Sequence, residues 1–290
     1  MPTHPARDGT LLAHRAVGDG PPPVCLPGGP MRAAAYLGDL GGLSAHRRLV
    51  PADPRGTGAS QTPRDPATYR CDRLVADVEA LREHLGPDRT DVLAHCAGAD
   101  LAVLWAARHP HRVGRLVLVT PSPVAVGIEV GADARLATAR LRAREPWFPA
   151  AYAALEEVVA GRTARVRWEA IAPLLHGRWD EAVRALDAAG AEEKNAEAAA
   201  VYGSVGAYDP EATRTALGAL PVPALLLAGE VGLNSPPPPM AEYAGLFPRA
   251  GLRVLPGARH FPWLDDPARF RAAVAPFLGR AVVRGRGADQ

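Results

Sequence analysis

The sequence is poor in lysine and in long apolar runs, and each shortage excludes a class of protein. Lys194 is the only lysine among 290 residues, and 33 basic residues are nearly balanced by 31 acidic ones. The formal net charge of +2 gives no electrostatic basis for binding nucleic acid. No apolar stretch approaches the roughly 18 residues that a membrane-spanning helix needs, and the amino terminus lacks the apolar core of a signal peptide. We therefore expect a soluble, cytoplasmic protein with no nucleic-acid or membrane partner.

Cysteine is also scarce. Cys25, Cys71 and Cys96 are too few and too scattered for a disulfide framework or a metal cage, which favours a reducing compartment. We expect neither a metal ion nor another cofactor. A chain of 290 residues that is 48% hydrophobic is nevertheless long enough to bury one large core.

Short apolar runs alternate with helical patterns over the first 120 residues. An edge strand is predicted between Gly9 and Gly18, and a helix over 69–85 ends at Gly86-Pro87. Buried strands are predicted at 24–26, 49–53, 91–96 and 113–119. This alternation indicates an α/β fold with a mostly parallel sheet and helices on both of its faces.

The pattern changes between residues 121 and 220, where strand-like runs are absent and aromatic residues are frequent. We interpret this segment as an inserted helical cap, and residues 1–120 and 221–280 as the core. Strands are predicted again at 222–228 and 252–255, with a stiff loop at 236–239 because the loop consists of four prolines. Residues 281–290 are predicted to form a flexible tail.

Cys96 lies where a predicted strand meets a predicted helix. The run AHCAG at residues 94–98 has the form of a nucleophile elbow, G-x-S-x-G, with a thiol in place of the hydroxyl. The amino terminus of the following helix points at the sulfur, which favours a thiolate. Taken alone, however, one cysteine after a strand is more typical of an inert buried thiol, so the case for a nucleophile depends on the rest of the chain.

His260 is the candidate general base among nine histidines. It follows a predicted strand, and the carboxyl ends of parallel strands converge on the ligand crevice. His95 directly precedes Cys96, and its side chain is expected to point away from the side that Cys96 faces. Solvated side chains are expected for the histidines in polar or helix-end contexts, His46, His84, His109, His111 and His176.

Four motifs in this order resemble the α/β-hydrolase superfamily, in particular its proline-iminopeptidase-like branch with a helical cap. They are the oxyanion motif LPGGP at 26–30, the loop DPRGTGAS at 53–60, the elbow at 94–98 and the histidine loop GARHFP at 257–262. The resemblance covers nearly the whole chain and implies an α/β-hydrolase fold. It also implies that the backbone N–H groups of Gly29 and Ala97 form the oxyanion hole.

Three departures from this family matter for function. Pro27 replaces the usual histidine of the oxyanion motif, Cys96 replaces serine, and Gly232 stands where the family pattern Gly-Glu-x-Asp has its acid. Glu230 and Asn234 are nearby candidates for supporting the histidine, although each is also typical of an ordinary loop residue. Because a thiol is far more acidic than a serine hydroxyl, a Cys96–His260 dyad can act as an ion pair without the acid.

The sequence therefore predicts acyl transfer through a thioester at Cys96. If water accepts the acyl group the enzyme is a hydrolase or thioesterase, and if an internal nucleophile does it is a cyclase. Relatives with cysteine in place of serine include Dieckmann-type cyclases of natural-product biosynthesis, which this chain resembles in fold and nucleophile type. The apolar, aromatic cap favours a hydrophobic (thio)ester substrate, either free or bound to a carrier protein. Two alternatives stay open: a lyase or isomerase that uses His260 as base without a covalent step, and a non-catalytic binding protein.

Overall fold

Six parallel strands form the central sheet in the computed structural model, which describes residues 1–163, 168–176 and 179–279. The predicted tail at 281–290 lies outside these residues. The strands in chain order are β1 Thr3–Pro5, β2 Leu11–Ala13, β3 Pro23–Leu26, β4 Val50–Pro51, β5 Thr90–His95, β6 Val113–Val119, β7 Ala224–Gly229 and β8 Ala250–Leu255. The sheet order is β4-β3-β5-β6-β7-β8, and β1 and β2 form a separate antiparallel pair. The predicted α/β fold is confirmed.

The chain order of the strands reverses between β3 and β5, which lie side by side in parallel. In an open α/β sheet this switch point opens a crevice at the carboxyl ends of the strands. The oxyanion motif follows β3 directly and Cys96 follows β5 directly, so the topology brings both to the same crevice. The predicted edge strand at the amino terminus is present as β2, extended by antiparallel bridges from His14 to Ala52 and from Val17 to Leu49.

The helices in chain order are α1 Cys71–Leu85, α2 Gly98–Arg108, α3 Ala132–Arg140, α4 Phe148–Val159, α5 Trp168–Ile171, α6 Glu181–Glu192, α7 Ala196–Tyr202, α8 Pro210–Gly218, α9 Pro237–Gly245, α10 Pro262–Asp265 and α11 Pro267–Leu278. Helices cover both faces of the sheet. Alternate side chains of β6 accordingly point into two different hydrophobic cores, one on each face. Leu116 and Leu118 join the core shared with α1, α2 and α9, whereas Val117 and Val119 join the core shared with α11. Within the described residues, no helix combines the length and apolar character needed to cross a bilayer.

The proline run near residue 236 is not the loop that its composition predicts. Pro236 is the N-cap of α9, and the next three prolines form the first turn of that helix. The N–H groups of a first turn have no partner within the helix, so prolines there lose no hydrogen bond and bring a suitable backbone angle. The prediction of a stiff loop at 236–239 is therefore wrong.

The six helices α3 to α8 lie within the segment assigned to the cap, but they pack in two groups. Ala151 and Leu155 of α4 belong to a small separate core with residues of the other cap helices. In contrast, Tyr202 of α7 and Leu217 of α8 belong to the main core, and the Tyr202 hydroxyl donates to the carbonyl of Ala97 at 2.7 Å. Within the segment predicted as the cap, α7 and α8 therefore pack against the main core.

The β1–β2 pair is joined to α1 by three histidine rings. His4, His14 and His84 lie with ring centroids 5.2 to 5.4 Å apart, and His4 and His14 are buried. Neither ring nitrogen of His4 has a hydrogen-bond partner among the described residues. Burial, with the neighbouring histidines, lowers the pKa of His4 to about 4, and burial lowers that of His14 as well.

We expect these histidines to make the protein acid-sensitive. Since their pKa values are lower in the folded state, the unfolded chain takes up protons first, so stability present above pH 6.5 is lost as the pH falls toward the folded pKa of about 4. For His4 alone the melting temperature should fall by roughly 2–4 °C per pH unit. Circular dichroism melts at several pH values measure this slope. His4→Phe should flatten it, and the same change at exposed His111 should not.

Candidate active site

Cys96 occupies a strained turn between β5 and α2. Its φ is +51°, in the left-handed region that residues with a side chain rarely adopt. The turn is held on both sides, since the Cys96 N–H donates to the Val119 carbonyl at 3.1 Å and the Cys96 carbonyl accepts from the Ser122 N–H at 3.0 Å. This is the geometry of a nucleophile elbow, which lifts the side chain clear of the sheet. Cys96 is partly exposed, whereas Cys25 and Cys71 are buried.

Two glycines allow the oxyanion loop to pack directly against the elbow. A methyl group on Gly98 would lie 2.6 Å from the carbonyl oxygens of Leu26 and Pro27. One on Gly28 would lie 2.7 Å from the Cβ of Cys96. Because real carbon atoms essentially never approach so closely, both positions require glycine. The loop after β3 and the elbow after β5 are thus in van der Waals contact.

The two N–H groups expected in the oxyanion hole both act on the Cys96 sulfur. The amides of Ala97 and Gly29 lower the pKa of the thiol, and Lys194 lowers it further, but burial outweighs them and raises this pKa to about 11. Cys96 is therefore a neutral thiol at neutral pH, which differs from the thiolate that the helix terminus favours. Desolvation is the larger effect here because the helix end contributes only about half a charge.

His260 lies on the loop after β8, and its backbone is held by two donors. Its carbonyl accepts from the Thr120 hydroxyl and from Nε2 of His95, each at 2.9 Å. Burial lowers the pKa of His260 to about 4, with smaller contributions from His176 and Arg32. The imidazole is therefore neutral at pH 7. Between the described side chains of Cys96 and His260 there is no hydrogen bond. The two pKa values describe a pair of neutral groups, which differs from the ion pair expected from the sequence.

The structure places the two residues proposed to support His260 in different surroundings. The Glu230 carboxylate accepts from the Gly257 N–H at 2.8 Å and so braces the turn that precedes His260. Asn234 is exposed on the wall of the cleft that contains Cys96. A Cβ at Gly232 would lie 3.7 Å from the Arg259 carbonyl carbon, so this position faces the histidine loop without bringing a carboxylate to it. Within the described ranges, neither Glu230 nor Asn234 forms a hydrogen bond with His260.

Two histidines without a predicted role in the site lie near His260. His95 does point to the other face of the sheet, but its buried ring lies 4.6 Å from that of His260, centroid to centroid. His176 is buried, not solvated, and its Nε2 pairs with Asp187 at 3.0 Å. Its ring stacks on Phe261 at 5.2 Å. The position of His95 next to the predicted nucleophile was a sequence indication that His95 lies near the site. No such indication existed for His176.

Cys96 opens into a cleft of about 570 Å³ between the β6 loop, α3 and the β7 loop. Its walls combine apolar side chains, such as Val124 and Ile128, with the polar groups of Thr120 and Asn234. This volume admits a small organic substrate. Nowhere in the described residues do three or more histidine, cysteine and acidic side chains form a group suited to a metal ion.

The geometry of this site agrees with sequence comparison. A family profile described as "alpha/beta hydrolase fold" matches residues 21–267, most of the chain. The chain belongs to the α/β-hydrolase family. Among curated α/β-hydrolase relatives, 2-hydroxymuconate semialdehyde hydrolase from Pseudomonas putida is 27% identical over 276 residues, covering 93% of this chain and 87% of the relative.

Other relatives match over shorter stretches or in fold alone. Proline iminopeptidase from Heyndrickxia coagulans is 31% identical over 104 residues, so the alignment covers 36% of each chain. The solved proline iminopeptidase of Mycobacterium smegmatis has a TM-score of 0.72 at 24% identity, with 96% of this chain and 97% of that chain covered. An esterase from Rhodococcus sp. ECU1013 has the same TM-score and identity, with 96% and 98% covered. These structures support the α/β-hydrolase fold.

Proposed function

We propose that this α/β-hydrolase transfers acyl groups through a thioester on Cys96, with His260 as the general base. The observation that carries the proposal is the strained elbow at Cys96, toward whose sulfur the N–H groups of Gly29 and Ala97 converge. Strain of this kind has a cost of order 1–3 kcal/mol and persists mainly at functional sites. An inert structural thiol needs neither the strain nor the two donors.

The first half-reaction starts from neutral groups. As Cys96 Sγ attacks the substrate carbonyl, its proton passes to a ring nitrogen of His260, and the carbonyl oxygen takes up the π electrons. The resulting oxyanion accepts hydrogen bonds from the N–H groups of Gly29 and Ala97. The intermediate then expels its thiol or alcohol, which leaves with the proton from His260. The acyl group remains on Cys96 as a thioester.

The acyl acceptor decides the name of the enzyme. Water activated by His260 releases a carboxylic acid, as in a hydrolase or thioesterase. A nucleophile within the acyl chain releases a ring instead, as in a cyclase. The apolar side chains of Val124 and Ile128 in the cleft favour a hydrophobic (thio)ester, free or bound to a carrier protein, as found in natural-product biosynthesis.

Intact-protein mass spectrometry tests this function. The protein is mixed with acyl thioesters of increasing chain length and with one β-ketoacyl thioester that carries an internal nucleophile. We expect a transient mass increase equal to one acyl group, followed by release of either the acid or the ring. The proposal would be contradicted if no donor produced an acylated mass under conditions in which about 1% labelling is detectable.

We expect acylation to proceed without an orienting acid. Glu230→Gln keeps an oxygen for the Gly257 N–H, and Asn234→Ala removes an exposed side chain. Each change should alter kcat/KM for acyl transfer by less than threefold, since neither side chain forms a hydrogen bond with His260 in the described residues. Steady-state kinetics on each purified variant measure this. A hundredfold loss in either one, with an unchanged melting temperature, would mean that the dyad does not act without support from that side chain.

One observation favours a second function of a different class. Because no hydrogen bond joins Cys96 to His260 in the described structure, His260 is free to act on a substrate proton without a covalent step. Such an enzyme would be a lyase or isomerase. It would keep its activity when Cys96 is replaced by alanine, which separates the two functions.

A further inference from the structure

A continuous chain of hydrogen bonds connects the oxyanion loop to the histidine loop behind Cys96. The Gly28 N–H donates to the Tyr36 hydroxyl oxygen at 2.7 Å. The Tyr36 oxygen lies 2.8 Å from Nδ1 of His95, and Nε2 of His95 lies 2.9 Å from the carbonyl oxygen of His260. The partners lie far apart in sequence, 59 residues between Tyr36 and His95 and 165 between His95 and His260.

The direction of every proton in this chain follows from its two ends. A carbonyl oxygen only accepts, so Nε2 of His95 must carry a proton. Burial, together with the nearby His260 and Arg32, holds the pKa of His95 well below its usual range, so the ring is neutral and Nδ1 is bare. Nδ1 therefore accepts the Tyr36 proton. The Tyr36 oxygen in turn accepts from Gly28, and all three hydrogen bonds are satisfied.

Both ends of the chain adjoin groups that the reaction uses. Gly28 directly precedes Gly29, whose N–H faces the Cys96 sulfur, and the His260 carbonyl belongs to the residue that acts as base. We propose that Tyr36 and His95 are positioning residues that hold the oxyanion loop and the His260 loop in register around Cys96. This inference rests on the acyl-transfer function proposed above.

The surroundings make these hydrogen bonds strong. Tyr36 is 8% exposed and His95 is 2% exposed, so water does not compete for their polar atoms. The Arg32 guanidinium lies 4.2 Å above the Tyr36 ring, and the Trp263 ring meets that of His95 edge-on at 4.9 Å. Removing one partner leaves a buried donor or acceptor unsatisfied. These hydrogen bonds also explain how His260 is positioned without a carboxylate on its ring. Its backbone carbonyl is bound by His95 instead.

Tyr36→Phe tests the oxyanion end by comparing two reactions of the same thiol. Acyl transfer develops an oxyanion, whereas alkylation of Cys96 by iodoacetamide does not. We expect kcat for acyl transfer to fall about tenfold with KM within twofold, since a misplaced oxyanion donor costs less than the 10²–10³-fold of a deleted one. The alkylation rate should fall by less than kcat does, because the Gly29 N–H affects alkylation only through the pKa of the thiol.

Tyr243→Phe is the matched control, because it removes a buried hydroxyl that has no hydrogen-bond partner in the described residues. It should leave both rates and the melting temperature unchanged. If Tyr36→Phe transfers acyl groups at the wild-type rate, or if both of its reactions slow equally as its melting temperature falls, Tyr36 has no positioning role.

His95→Leu and His95→Gln test the histidine end. Gln retains an N–H donor for the His260 carbonyl and Leu does not, so alkylation should fall about fivefold in the Leu variant and recover to within twofold of wild type in the Gln variant. Equal rates in the two variants would overturn the positioning role of His95.

Nitrogen-15 NMR of the full chain tests the proton assignment without turnover. We expect His95 to be protonated at Nε2 and bare at Nδ1 from pH 5 to 8, and Tyr36→Phe to shift its Nδ1 resonance. Protonation of His95 at Nδ1, or titration of His95 in this range, would refute the proposed series of hydrogen bonds. If the wild type transfers no acyl group, the acyl-transfer function fails by itself, while the alkylation rates and NMR spectra still decide the positioning role.

Discussion

We expect the replacement of Cys96 by alanine to abolish the acyl-enzyme, and the replacement of His260 by alanine to slow its formation by about 10²–10⁴-fold. The first loss is complete because alanine offers no nucleophile. The second is the usual contribution of a general base, and it should be large here because the thiol pKa of about 11 leaves little spontaneous thiolate. Acylation kinetics followed by intact mass measure both effects.

The pH dependence distinguishes this dyad from an ion pair. In the wild type, kcat/KM should be flat between the His260 pKa of about 4 and the Cys96 pKa of about 11, because both groups are in their reactive neutral forms across that interval. In His260→Ala the rate should instead rise about tenfold per pH unit toward pH 11, as thiolate forms without a base. A wild-type profile that rises between pH 5 and 8 would contradict this description.

The remaining thiols provide an internal control for these labelling experiments. Cys25 and Cys71 are buried, and burial raises the pKa of Cys25 to about 12 and that of Cys71 as well. Peptide mapping of the acylated wild type should therefore find the acyl group on Cys96 alone. Acyl groups on the buried thiols would indicate unfolding and not catalysis.

Gly28→Ala should lower kcat/KM for acyl transfer by about 10²–10³-fold, the cost of losing one oxyanion donor. The added methyl group would lie 2.7 Å from Cys96 Cβ and 3.0 Å from the His95 carbonyl oxygen, so the loop must move away from the elbow. That movement displaces the Gly29 N–H from the position of the oxyanion. Steady-state kinetics together with iodoacetamide alkylation measure the loss and show whether the thiol itself remains reactive.

Gly251→Ala is the control for this substitution, since a methyl group there meets no atom within 4 Å. It should retain full activity. Wild-type acyl transfer by Gly28→Ala would mean that the Gly29 N–H is not an oxyanion donor, and the location of the oxyanion hole proposed here would be wrong.

The sheet and the elbow were predictable because their signals are local. Strands β3, β5, β6 and β7 are short apolar runs, and the turn at Cys96 is bounded by small residues that any tight strand-to-helix turn requires. The parallel order followed from the alternation of strands and helices. Patterns of neighbouring residues therefore determined the fold class, the candidate nucleophile and the loop of the candidate base.

The protonation states and the contacts of the site depended on tertiary structure. Burial, which no local pattern expresses, makes Cys96 and His260 neutral where a helix terminus and an ion pair indicated charge. Likewise, His95 and Tyr36 meet only because the sheet brings distant segments together. The sequence alone determined the candidate nucleophile, the oxyanion loop and the loop of the candidate base. Only the packing decided how strongly each is desolvated and which hydrogen-bond partner it meets, because both depend on atoms far away along the chain.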